Sequence, residues 1–217
     1  MKINAFKKSY NGRTVLDFPG FEFESGKIYA VIGANGSGKS TFARVLSGIE
    51  KADSGQRPCK AEVGYLPQKS YGFRMSVRKN LLLNGKDALR ADELLEEIGI
   101  EALKEANAAK LSGGETARMA LCRLMMANYE LAVFDEPTAS MDMESTLRAE
   151  EMLCRYRDET GCAVILITHS IQQARRIADC ILYFDKGQLA ESGDCESLLA
   201  DPGDVRTKKF IEFYGIR

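Results

Sequence analysis

Apolar residues recur along this chain in two rhythms. The first is the short unbroken run: Ile28 to Ile32, Leu131 to Phe134, Ala163 to Ile167 and Ile181 to Phe184. Runs of that length, bounded by turn residues, read as buried strands. Ahead of them, Ile3-Ala5-Phe6, Val15-Leu16 and Phe21-Glu22-Phe23 are shorter, with Asn11-Gly12, Pro19-Gly20 and Ser25-Gly26 as turns between them. They predict a small antiparallel sheet leading into the first central strand. Val63-Gly64-Tyr65-Leu66 predicts another short strand, ended by Pro67, after a turn-rich connector from Gly48 to Pro58.

The second rhythm is helical. Phe42-Ala43-Arg44-Val45-Leu46 opens an amphipathic helix straight after the Ile28–Ile32 run and a glycine-rich turn. Residues 75–110 contain no strand candidate; Met75 to Leu82 predicts one short helix and Asp92 to Ile98, stopped by Gly99, a second. This interval reads as a helical insertion standing off a sheet-based core. Ser112 and Glu115 form a capping box, so a helix starts there and runs to about Ala127, with Ala117, Leu121, Leu124 and Met125 on its apolar side. A charged helix opens at Asp142 and runs to about Arg157, Ile171 to Ala178 forms another, and Gly187 marks a turn. Helices near 196–200 and 207–214 finish the chain. Strands and helices alternate, and the fold class is α/β.

Chemistry concentrates where these elements join. Gly33-Ala34-Asn35-Gly36-Ser37-Gly38-Lys39-Ser40-Thr41 lies between a strand and a helix and fits G-x-x-x-x-G-K-[ST]. Its glycines let backbone N–H groups curl around an anion, and the helix behind adds its positive end. Lys39 can then reach terminal phosphates, and the Ser40 hydroxyl can sit on Mg²⁺. Asp135-Glu136 ends a buried strand, where two acids are costly unless a cation accompanies them; beside a phosphate loop that cation is Mg²⁺, with Asp135 as its ligand. Glu136 is left to orient or deprotonate a water. Gln68, after the Val63–Leu66 strand, is either an ordinary loop residue or a polar side chain reaching nucleotide and metal. His169, the single histidine, follows a strand at the edge where doubly wound sheets bind ligands. Tyr10, before the Asn11-Gly12 turn, is either a half-buried strand-end tyrosine or an exposed ring open to a ligand. The two glycines after Ser112 each cost up to about 1 kcal/mol in helix propensity, which makes sense if something must approach that helix start closely; a second anion-binding terminus is the natural candidate.

Bulk properties narrow the class. At 217 residues the chain suits one large domain, or one with a sizeable insertion. With 45% hydrophobic and 28% charged residues it has the composition of a globular protein with a real core. A net charge of −1 argues against nucleic acid or an anionic membrane surface as the main partner. The apolar runs are strand-length, so no membrane span is expected, and Met1-Lys2-Ile3-Asn4 begins no signal peptide. The cysteines at 59, 122, 154, 162, 180 and 195 form no C-x-x-C pair and read as reduced residues of a cytosolic protein.

Taken in order, these motifs resemble the ATPase domain of ATP-binding-cassette (ABC) proteins, and the resemblance runs over essentially the whole chain. Residues 33–41 match the Walker A motif, Gln68 the Q-loop, and Leu111-Ser112-Gly113-Gly114-Glu115 the signature. Residues 131–136 match Walker B with its catalytic glutamate, Ser140-Met141-Asp142 the D-loop, and His169 the switch histidine. Tyr10 sits where the family has its adenine-stacking aromatic. The resemblance implies a P-loop NTPase core (1–74 and 111–217) with an N-terminal antiparallel β-subdomain. Residues 75–110 would begin a helical subdomain that continues into the helix after 112. It also implies ATP and Mg²⁺ as ligands: Gly33, Asn35, Gly36, Ser37, Gly38, Lys39, Ser40 and Thr41 around the phosphates, with Ser40, Asp135 and Gln68 at the metal. Catalytic roles fall to Glu136, His169, Lys39 and Gln68. Two copies would associate head-to-tail around ATP, with Ser112, Gly113, Gly114 and Asp142 of one copy facing the nucleotide of the other. Thr116, where members often carry glutamine, Met141 in place of the commoner leucine, and a short interval from Gln68 to Leu111 depart from the family pattern.

Within that family, the segment Ser170 to Asp179 looks like importer ATPases for phosphate, tungstate and related oxyanions, and residues 202–214 like those for phosphate and polar amino acids. The expectation is therefore the ATP-hydrolysing subunit of an importer. It would lie on the inner face of the cell membrane against separate permease subunits, with a solute-binding protein as a further partner. The alternative is a soluble, non-transport ATPase of the iron–sulfur assembly type; DNA-repair and translation members are disfavoured by the lack of a long coiled coil, zinc-binding cysteine pairs or a second cassette.

Overall fold

The computed structural model describes residues 1–54 and 61–215; the end of the Gly48–Pro58 connector, and Cys59, lie outside the described residues. The N-terminal part supplies β1 (Lys2–Ile3), β2 (Phe6–Tyr10), β3 (Arg13–Phe18), β4 (Phe21–Glu22) and β5 (Ile28–Ile32), followed by α1 (Lys39–Leu46) and β6 (Val63–Leu66). The insertion holds α2 (Val77–Leu81) and α3 (Ala88–Glu97), and leads into α4 (Gly113–Met125). Then come β7 (Leu131–Asp135), α5 (Met143–Thr160), β8 (Ala163–Ile167), α6 (Ile171–Ile177), β9 (Cys180–Asp185), β10 (Gln188–Asp194), α7 (Cys195–Ala200) and α8 (Val205–Tyr214).

One eight-stranded sheet runs in the order β2-β3-β10-β9-β5-β8-β7-β6, and a two-stranded ribbon pairs β1 with β4. The five strands from β9 to β6 are mutually parallel, which needs helical crossovers and gives strands buried on both sides. The antiparallel hairpin β2–β3 was expected as a separate small sheet. It joins the main one instead, where β3 meets β10 at Asp17 and Gln188. β10 itself was not expected: Gln188 to Asp194 is polar and half-exposed, and only its antiparallel pairing with β9 makes it a strand.

The period of two along each central strand sorts side chains into two layers. Leu131, Val133, Ile165, Ile167, Tyr29 and Val31 pack with Phe18, Phe42 and Phe184 on the side of α1 and the N-terminal strands. Ala132, Phe134, Val164 and Leu166 face the other way, with Met119, Leu121 and Met125 of α4 and Leu153 of α5. Val77, Leu81, Leu94, Leu95 and Ile98 of the insertion belong to that same cluster. The insertion therefore does not stand off the core; α4 carries one continuous apolar layer from the sheet into it. Helix α3 starts four residues before the expected Asp92, because the Asp87 carboxylate caps it by accepting from the N–H groups of Leu89 and Arg90 at 2.9 and 3.1 Å.

Candidate nucleotide site

The turn between β5 and α1 can take its shape only with glycine. At Gly33 (φ 148°) a β-carbon would lie 2.2 Å from the Phe184 carbonyl oxygen. Gly38, at φ 102°, is the N-cap of α1 and offers no side chain, so no side-chain cap occupies the first N–H groups of that helix. Those donors and the helix dipole are available to an anion. Lys39 is buried, and its ammonium donates to the carbonyls of Gly33 and Ala34 at 2.7 and 3.0 Å. Burial lowers its pKa, while the nearby Glu136 and Asp135 charges oppose that shift.

Asp135 and Glu136 stand at the C-terminal end of β7, the same edge of the parallel strands from which the glycine turn leaves β5. Asp135 closes β7 and is only 2% exposed. Burial pushes its pKa up and the Glu136 charge adds to the rise; Ser40, Tyr65 and Lys39 pull the other way. The Tyr65 hydroxyl donates to Asp135 Oδ2 at 3.3 Å, and the Ser40 hydroxyl approaches the carboxylate. Oδ1, however, is buried without a hydrogen-bond partner. A buried carboxylate oxygen lacking a donor, beside a hydroxyl, suits a hard divalent cation. Among the described residues no cluster of three or more His, Cys, Asp and Glu could hold a metal, so a cation here would share substrate oxygens, as Mg²⁺ does.

Glu136 has φ 50°, a left-handed conformation unusual for a side chain of this size and one that concentrates at functional sites. Its N–H donates to the Ile167 carbonyl at 2.9 Å, which ties the turn to the end of β8. One carboxylate oxygen accepts from Gln68 Nε2 at 2.8 Å and the other contacts His169 Nε2. Residues 68, 136 and 169, remote in sequence, thus meet at one carboxylate.

A cleft of about 300 Å³ joins these groups, lined by Asn35, Gly36, Gly38, Lys39, Ser40, Thr41, Gln68, Glu136 and His169, with Val15 and Arg44. Val15 and Arg44 were not anticipated; the first comes from the hairpin and the second from the polar face of α1. Nor was Tyr65, whose link to Asp135 depends on β6 lying beside β7, an adjacency that no local pattern reveals. Tyr10 does not line the cleft. The residue is 39% exposed, its hydroxyl bonds Glu50 and lies near Thr41, and the Lys8 ammonium is 5.3 Å from the ring centre.

The expected signature segment lies outside the cleft. Ser112 caps α4 as predicted, with the reciprocal bonds Ser112 N–H to Glu115 Oε2 at 2.7 Å and Glu115 N–H to Ser112 Oγ at 3.3 Å. Ser112 and Gly113 are exposed, and a β-carbon on Gly113 would meet nothing within 4 Å. On Gly114 it would lie 2.8 Å from the Ser140 carbonyl oxygen, so this second glycine has a reason within its own chain. Asp142 is exposed and caps α5 by accepting from the Ser145 N–H at 2.8 Å, a bond that lowers its pKa.

Comparison with known proteins agrees with this geometry. The pattern of the family described as ABC transporter matches residues 16–139, more than half of the chain. The tungstate uptake system ATP-binding protein of Peptoclostridium acidaminophilum is 37% identical over 206 residues, covering 88% of this chain and 96% of that one. A zinc import ATP-binding protein of Pseudomonas fluorescens is 33% identical over 95% of this chain and 78% of its own. The solved ATP-binding subunit of an ABC transporter superposes with a TM-score of 0.83 over 97% of this chain and 98% of that one, at 19% identity, which speaks for the fold alone. A glycine turn with an uncapped helix start, an acid pair nearby and these relatives lead to one conclusion: the chain belongs to the ABC transporter family, as an ATP-hydrolysing, ATP-binding subunit.

Proposed function

We propose that this chain drives an importer of a small solute such as an oxyanion or an amino acid, by closing and opening a homodimer around two ATP molecules. The observation that carries the reading is that Gln68 and His169 converge on Glu136 at the cleft, while Ser112 and Gly113 stay exposed outside it. The described cleft supports one half of a site, and a second copy would complete it with its α4 N-terminus.

In this reading the N–H groups opening α1 and the Lys39 ammonium bind the ATP phosphates. Asp135 and Ser40 would hold Mg²⁺, which when bound offsets charge on the phosphate oxygens, with Gln68 at its margin. Glu136 orients the attacking water and receives its proton, and His169 keeps that carboxylate facing the γ-phosphate. Ser112, Gly113 and Gly114 of the second copy, with Asp142 beside them, face the same phosphate. ATP closes the pair because it touches both faces only in the closed state, and hydrolysis removes that preference. Tyr10 contributes a stacking surface for adenine at the rim.

Partner and direction rest on other features. A groove of about 290 Å³ between the end of β6 and the insertion is lined by Leu66, Tyr71, Phe73, Leu83, Arg123 and Leu124 among others. Tyr71, Phe73 and Leu83 are exposed there, an apolar surface fit for the permease subunits. No helix among the described residues is long and apolar enough to cross a membrane; relatives named as ATP-binding proteins of uptake and import systems support separate permease subunits, with this chain peripheral at the inner membrane face and a solute-binding protein outside. The tungstate, zinc, amino-acid and sulfonate relatives are named for uptake or import, or as transporter subunits, which favours an importer over a soluble non-transport ATPase.

The test is Glu136→Gln. The variant should bind ATP, lose nearly all turnover and run as a dimer only with ATP in light scattering. Unchanged hydrolysis would remove Glu136 from the reaction, and co-purification with a soluble partner instead of a permease would sink the transporter reading.

A further inference from the structure

Behind the Glu136–His169 pair lies a second cavity of about 240 Å³, lined by Glu136, Thr138, Thr168, His169, Gln173 and Arg176 among others. With open volume at their backs, the two reacting side chains are not fixed there by close packing. What spans the gap is a polar chain with two buried residues, Gln173 and Glu150, at its centre. Gln173, 2% exposed, donates through Nε2 to Thr138 Oγ1 at 3.1 Å and to Glu150 Oε1 at 3.0 Å. Glu150, 3% exposed, is held in turn by Arg176, whose Nε and Nη2 reach its two oxygens at 2.7 and 2.6 Å. An amide nitrogen has two protons to give, and Gln173 uses both on this link.

The chain joins three segments that carry different parts of the site. Thr138 stands in the turn between Glu136 and Asp142, tied by the bonds Ala139 N–H to Glu136 O at 3.3 Å and Met141 N–H to Thr138 O at 3.0 Å. Gln173 and Arg176 lie on α6, whose N-cap Ser170 directly follows His169 and accepts from the Gln173 N–H at 3.1 Å. Glu150 is on α5, which Asp142 opens. A turn and a helix that would otherwise be free to shift across a cavity are pinned to a shared carboxylate.

We infer that Gln173 is a positioning residue: by bridging Thr138 and Glu150 it sets the placement of His169 against Glu136 and moves the Asp142 turn and the His169 helix together. This rests on the proposed roles of Glu136 and His169. Glu150 acts as the anchor, because Arg176 balances its charge and donates both to Oε2, which Gln173 leaves free, and to Oε1. Gln173 is the joint, because it alone of the network contacts the turn.

The experiment uses the full chain, free of any histidine tag, in three forms besides wild type: Gln173→Met, which keeps length and bulk but cannot donate, Thr138→Val, and the double variant. As the only histidine, His169 gives a single set of imidazole signals in NMR spectra, readable whether or not the protein turns over ATP. Gln173→Met should displace those signals. It should also speed amide exchange in residues 137–141, and the double variant should match Thr138→Val in that exchange. In ATP hydrolysis, normalised to ATP-binding sites, Gln173→Met should lower kcat about fivefold to tenfold with KM within about twofold, the worth of one buried bond. A purely structural role would lower melting temperature but leave the His169 signals and the normalised kcat where they were. Unmoved His169 signals, or effects of the two single changes that simply add, overturn the inference. Absence of hydrolysis in wild type alongside displaced His169 signals would instead count against the functional roles and leave the coupling standing.

Discussion

Replacing Gly113 and Gly114 by alanine, one at a time, should move stability in opposite directions although the two are neighbours in the first turn of α4. Both have helical backbones, so alanine gains up to about 1 kcal/mol of helix propensity at either position. At Gly113 nothing lies within 4 Å of the new methyl group, so the gain is kept. At Gly114 the methyl carbon would sit 2.8 Å from the Ser140 carbonyl oxygen. Ser140 lies in the turn held by the Met141-to-Thr138 bond, so relief requires backbone movement rather than a rotamer change. Overpacking of this kind costs about 1–3 kcal/mol, which cancels or outweighs the propensity gain of about 1 kcal/mol and leaves a net loss of up to about 2 kcal/mol. For a chain of this size, at about 3 °C per kcal/mol, that corresponds to a melting temperature higher by up to about 3 °C for Gly113→Ala and lower by up to about 6 °C for Gly114→Ala. Thermal unfolding followed by circular dichroism without nucleotide reads both. The more stable Gly113→Ala variant, combined with Glu136→Gln, should nevertheless fail to dimerise with ATP, because its methyl group occupies the face proposed to meet the partner's phosphate. A rise in stability for Gly114→Ala equal to that of Gly113→Ala would refute the packing argument. Normal ATP-driven dimerisation of the Gly113 variant would refute the assigned face.

Three further outcomes follow from single sites. Tyr10→Ala should weaken ATP binding about fivefold in a titration, through roughly 1 kcal/mol of lost stacking; unchanged affinity would leave Tyr10 as a strand-end residue bonded to Glu50. Asp204, which caps α8, has its pKa lowered to about 2 by the Arg206 guanidinium and N–H. The depressed value means that its contribution is present above the ordinary 3.8 and is lost as pH falls through about 2. Asp204→Asn should therefore lower the melting temperature at pH 7 but progressively less below pH 4, and a difference that does not change with pH would contradict this assignment. In the native protein a thiol reagent followed by peptide mass mapping should modify the half-buried Cys154 and Cys180 before Cys122, which is fully buried and has its thiol pushed up to about 12; early labelling of Cys122 would show that the α4 layer opens readily.

The elements were largely legible because their signals are local. Unbroken runs such as Ala163 to Ile167, the capping pair Ser112 and Glu115, and the glycines around Lys39 each act over a few residues, and the structure places them as strand, helix start and the turn that opens α1. The parts that were not legible are those in which distant segments choose their neighbours. Gln188 to Asp194 lacks a strand's apolar pattern and becomes one through pairing with β9. Tyr65 meets Asp135 because β6 lies beside β7. The insertion shares the core because α4 presents apolar residues both to it and to the sheet. For the site, the sequence by itself determined which groups are present: a glycine loop with Lys39, two adjacent acids, one histidine and a capped, glycine-led helix. Tertiary structure decided which of them meet, bringing Gln68 and His169 to Glu136 and leaving Ser112 and Gly113 exposed. The physical reason is that local backbone preferences are written in neighbouring residues, whereas these meetings depend on strand order and on burial shared by segments far apart in the chain.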